Sequence, residues 1–105
     1  MADQINVIIK KPNETFGHTA TINNTLERFQ MIVKGYIECV PLGFVLGKGN
    51  VVIICNEEGR LMGMEHSCTV CGIDFCGPII AVGVDGEEFA DVPIDFEDWL
   101  KLMTL

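Results

Sequence analysis

Basic residues are scarce in this chain: seven Lys and Arg stand against fifteen Asp and Glu in 105 residues, a formal net charge of −8. A protein that tracks nucleic-acid phosphates needs clustered cations to displace counterions, so direct binding to nucleic acid is not expected. Serine is scarcer still. The single one, Ser67, lacks a glycine-flanked elbow, and its neighbour His66 would face the opposite side of a strand. The usual general acid, base and nucleophile set is therefore not visible. Gly43, Gly47 and Gly49 have neither the spacing nor the following helix of a phosphate-binding loop. The longest apolar run, residues 78–84, falls far short of the ~20 residues of a spanning helix, so no membrane partner is expected. The opening Met-Ala-Asp-Gln has no basic region and no apolar signal core, which points to a cytoplasmic protein with reduced thiols.

What is present suits one domain spanning residues 1–105. Hydrophobic residues make up 49% of the chain and are spread along it. Residues 5–10 are rich in β-branched side chains and read as a strand; residues 16–22 alternate and read as its partner. Asn24, with Glu27 three residues on, has the spacing of a capping box, and Leu26, Phe29, Ile32 and Val33 form a helical stripe ended by Gly35. Residues 36–40 predict a strand closed by Pro41, and residues 43–50 a glycine-rich hairpin loop. The continuous apolar run 51–55 predicts a central strand covered on both faces. Asn56 to Gly59 then turns the chain, with Gly59 supplying a positive φ, into a short return strand ending at Met64. Residues 79–84 predict another central strand, turned by Asp85-Gly86. Asp95 caps a C-terminal helix whose Phe96, Trp99, Leu100 and Met103 share a face. Strands with two helices and no βαβ alternation give an α+β fold: a small mixed or antiparallel sheet, one helix after strand 2 and one C-terminal.

Three groups of side chains carry candidate chemistry. His66, Cys68, Cys71 and Cys76 have donor types that suit tetrahedral zinc, although all four fall within eleven residues. The competing reading makes the three cysteines small, partly buried hydrophobes. A Cys68–Cys71 redox pair has less support, because no helix follows to lower a thiol pKa. Cys39 and Cys55 sit in apolar strands and read as core. The second group is acidic. Asp85, Glu87, Glu88, Asp91, Asp95, Glu97 and Asp98 hold seven of the fifteen acids, either as a solvated loop and helix start or as a surface that docks a basic protein partner. In the third, Lys10, Lys11, Arg28, Lys34 and Arg60 would make a small-ligand or nucleotide site if the fold converged them. Tyr36 and Phe44 are the aromatics that best suit a ligand or partner surface, and Trp99 an anchor for the last helix. Exposed strands at the rim of a small sheet allow a homodimer.

The helix followed by Gly35-Tyr36-Ile37-Glu38, and the Asn56-Glu57-Glu58-Gly59-Arg60-Leu61 turn, resemble a family of small proteins of phages and mobile elements known as domain of unknown function 3846. An Asn-Arg pair expected after the return strand is replaced here by Glu65-His66-Ser67. The resemblance implies the α+β fold and a mobile-element setting close to counter-defence genes. It implies no reaction. The expectation that follows is a small acidic protein that acts by binding a partner, with small-ligand binding and a zinc-stabilised module as the alternatives.

Overall fold

β-Branched residues dominate both N-terminal stretches, and both are extended. In the computed structural model, which describes residues 3–104, β1 (Gln4–Lys10) pairs antiparallel with β2 (His18–Asn23), Ile5 opposite Ile22 and Ile9 opposite His18. Phe16 lies before the second strand rather than in it. The next element, α1 (Leu26–Val33), is capped one residue later than the spacing predicts. Thr25 is the N-cap, its hydroxyl accepting from Arg28 N at 3.2 Å. Asn24 is spent elsewhere, donating from Nδ2 to Phe89 O at 3.0 Å. The helix closes on Lys34 at φ 66°, not on Gly35. Of the predicted stripe, Phe29 and Val33 are buried and Ile32 partly so, whereas Leu26 is exposed.

β3 (Ile37–Val45) continues through Pro41, where the sequence predicts its end. A proline removes one ladder donor, which is tolerated on an outermost strand. β3 has that place, paired only with β4 (Gly49–Asn56), and the register shifts by a bulge between Pro41 and Gly43. The glycine-rich loop thereby shrinks to residues 46–48.

The predicted return strand does not form. Residues 57–63 coil instead: Met62 N donates to Glu58 O at 2.8 Å and Met64 N to Gly59 O at 2.9 Å. The Asn56 side chain starts this turn as expected, Oδ1 accepting from Glu58 N at 2.8 Å. Gly59 is needed for proximity rather than for a positive φ, since a Cβ there would lie 2.9 Å from Cys76 O. The chain then forms β5 (His66–Val70) and β6 (Ile73–Cys76), a hairpin turned at Cys71 and Gly72, both with positive φ. β7 (Ile79–Asp85) and β8 (Glu88–Ala90) make the predicted hairpin over Gly86. α2 (Phe96–Leu102) and the two-residue β9 (Met103–Thr104) complete the chain.

All described pairings are antiparallel. The main sheet runs β2-β1-β7-β4-β3, with β8 also on β7; the second runs β6-β5-β9. Gly83 pairs with Val51 of β4 and with Ala90 of β8, so β8 lies along the same side of β7 as β1. The central strands bury both faces. On one side Val7, Val52, Ile54, Ile80 and Val82 pack with Phe29 and Val33 of α1. On the other, Ile8, Ile53 and Ile79 pack with Val70 and Phe75 of the second sheet and with fully buried Trp99 of α2. Trp99 anchors its helix as expected, Nε1 donating to Phe16 O at 3.0 Å. Leu100, expected on the same face, is exposed, and Met103 reaches the core from β9.

Candidate functional site

Residues of β1, β2, the β1–β2 connection and α1 line a groove together with residues 62–65 and 77–78. It holds about 960 Å3. Lys11 from the β1–β2 connection, Arg28 from α1 and Lys34 from its C-cap line it. These are three of the seven basic side chains of the whole protein. Arg28 directs Nη1 at the Met31 sulfur, 3.3 Å away, a weak acceptor that leaves the guanidinium available to an anion. His18 also reaches the wall and pairs through Nδ1 with Glu14 Oε2 at 2.7 Å. Glu65 is the only carboxylate among the lining residues. The thioethers of Met31, Met62 and Met64 line the same groove, Met31 beside Arg28 on α1.

The five bases weighed together in the sequence divide three to two. Lys10 lies behind the groove, 1% exposed, its ammonium donating to Lys11 O at 2.7 Å and Ser67 O at 2.9 Å. Ser67 returns a bond from Oγ to Lys10 O at 3.2 Å, so the lone serine hydroxyl is engaged in joining the two sheets. Arg60 faces the β5–β6 hairpin and donates to Asp74 O at 3.2 Å.

That hairpin does not gather the four zinc-type residues. His66 and Cys76 pair across its open end, Cys68 points into the core opposite Phe75, and Cys71 is exposed at the tip. Among the described residues no three His, Cys, Asp or Glu side chains form a group able to hold a metal ion. His66 instead approaches Asp74 Oδ1 at 3.4 Å, and Thr69 donates to the same oxygen at 2.5 Å. The Thr69 hydroxyl first, then His66, holds the Asp74 carboxyl below the usual range. Burial pushes the Cys68 thiol up, with Lys10 opposing. This is the reverse of the environment an attacking thiolate needs. Cys55, buried as expected, is pushed up to about 11 by burial, then by Glu38 and Cys39. Cys39, expected in the core, is exposed on β3.

The acidic run is divided as well. Asp85, Glu87 and Glu88 are exposed on the β7–β8 hairpin, Glu87 and Glu88 beside the start of α1. Glu97 is exposed on α2, the helix packed against the opposite face of the sheet. The other three serve the fold. Asp91 accepts from Asn6 N at 2.7 Å, and Asp95 and Asp98 form the reciprocal capping box of α2. Asp98 is buried and pairs with Lys48 Nζ at 2.5 Å. Tyr36 and Phe44 are exposed, as a surface role would require, but neither lines the groove.

The groove's methionines were not legible as a site, because residue 31 lies in α1 while residues 62 and 64 follow β4, and only the fold brings them to one groove. One signal was present: the first fifty residues hold five of the seven bases and four of the fifteen acids. Charge is thus strongly uneven along the chain, and the fold places the less acidic half around the groove. The family model described as Domain of unknown function (DUF3846) matches residues 5–104. No curated protein and no solved structure matches.

Proposed function

This chain belongs to the DUF3846 family, and from that premise we propose that it acts by binding a small anionic ligand in the groove between α1 and β2. The observation that carries the reading is that Lys11, Arg28 and Lys34 all line one groove in a protein of net charge −8. Cations held together in a concave site surrounded by acidic surface focus potential on one place and reject anions elsewhere. Docking of a basic protein through the acidic run has less support, because Asp91, Asp95 and Asp98 are engaged within the fold.

Inorganic tripolyphosphate tests the reading with charge alone. Titration calorimetry at low salt should give one saturable site. The double variant Arg28→Gln/Lys34→Gln should weaken it by about tenfold or more, since each charge-assisted hydrogen bond is worth roughly 1.5–3 kcal/mol. Rising salt should weaken it further. Absence of saturable heat with the wild-type protein, or equal affinity in the double variant, overturns the proposal.

A further inference from the structure

The groove presents two chemistries rather than one. A phosphate group needs only the cations, yet three thioethers line the same groove. Met31 is 67% exposed and Met62 59%, so both thioethers are accessible to a ligand. Met64 is held in place. Its sulfur sits so close to Gly77 that a Cβ there would meet it at 2.6 Å, so a glycine at 77 is the condition for seating this side chain. Thioethers are polarizable and pack favourably against the edges and faces of aromatic rings. The two chemistries also touch, since Arg28 and Met31 are one helical turn apart with Nη1 and Sδ at 3.3 Å. An anion at Arg28 would therefore place whatever is attached to it over Met31. The space is large for phosphate alone, and about 960 Å3 lies at the upper end of the range of small-molecule pockets.

Resting on the anion-binding reading of this groove, we propose that its ligand is a phosphate-bearing planar heterocycle of nucleotide size, the phosphate on Arg28 and Lys34 and the ring on the thioethers of Met31, Met62 and Met64. The ring contributes affinity that phosphate lacks, and the cations fix its orientation.

Titration with ATP, GTP, CTP and UTP, each against tripolyphosphate, tests this. At least one nucleotide should bind ten times more tightly than tripolyphosphate. In Met31→Ser/Met62→Ser that ratio should fall toward one; both side chains are exposed, and a melting curve confirms that the variant folds. If every nucleotide matches tripolyphosphate, the ring seat is wrong while the anion site stands. If the ratio is tenfold but survives the double serine variant, the methionine seat is wrong. If neither tripolyphosphate nor any nucleotide binds, the anion site falls, and this inference with it.

Discussion

Asn56 uses both ends of its amide. Nδ2 donates to Val33 O at 3.0 Å, satisfying a carbonyl at the end of α1, and Oδ1 accepts from Glu58 N to start the turn after β4. The side chain fits only because residue 35 has no Cβ, which would lie 2.7 Å from Nδ2. Gly35→Ala should therefore push the amide off Val33 and leave a buried carbonyl without its donor. The expected cost is about 1–3 kcal/mol, read as a lower urea midpoint at unchanged slope. A midpoint equal to wild type would contradict this account of Gly35. Half of the arrangement was legible. Asn followed three residues later by Gly marks a turn on local chemistry alone, and Asn56 does start one. Its second bond reaches a helix 23 residues away in sequence, which local chemistry does not encode. The same limit explains the cap of α1. Asn24 and Thr25 are both good N-caps; Thr25 takes the role, while Asn24 Nδ2 donates to Phe89 O, a partner distant in sequence.

Among the elements, the central strands and both helices were readable, because continuous apolar runs and a 3.6-residue stripe reflect burial directly. The errors fall where a strand borders water or leaves its sheet. Pro41 read as a terminator, and nothing in the local pattern shows that β3 has only one neighbour. The residues after Asn56 read as a return strand, yet Gly59 packs against Cys76 O and the chain coils before joining a second sheet. The β3–β4 hairpin is also tied to α2 by Lys48 and Asp98. The Lys48 ammonium, hydrogen-bonded to the carboxylate, holds Asp98 below the usual carboxylate range despite its burial. A depressed folded pKa means that the stabilisation is present above the unfolded value, about 4, and is lost as pH falls through the folded value. Lys48→Met should therefore lower the melting temperature near neutral pH and flatten its fall as pH drops below about 4. Parallel melting curves for the two proteins across that range would show that the pair does not couple to stability. Lys48 is partly exposed, so the effect should shrink in high salt.

At the scale of the whole molecule, one sheet is shared by two cores. Ile8, Ile53 and Ile79 face the second sheet and α2, while Val7, Val52 and Ile80 face α1 from the same strands. Neither layer can be exposed without uncovering the strands the other needs, and the Lys10–Ser67 exchange binds them further. Unfolding should therefore be a single transition. Trp99 fluorescence, which reports the α2 side, should coincide in urea with far-UV circular dichroism, which reports both. Separated midpoints would show that the layers come apart independently. The division of charge between the chain's two halves was visible in the sequence. The groove was not, since its walls come from residues as far apart as Lys11 and Pro78.

β3 offers nine residues along an outer rim, a template on which further molecules would add strand by strand into a fibre. Pro41 and the shift at Gly43 spoil that template near its middle, where a new chain would lose both a donor and its register. Those two features blunt the β3 border against the addition of further chains.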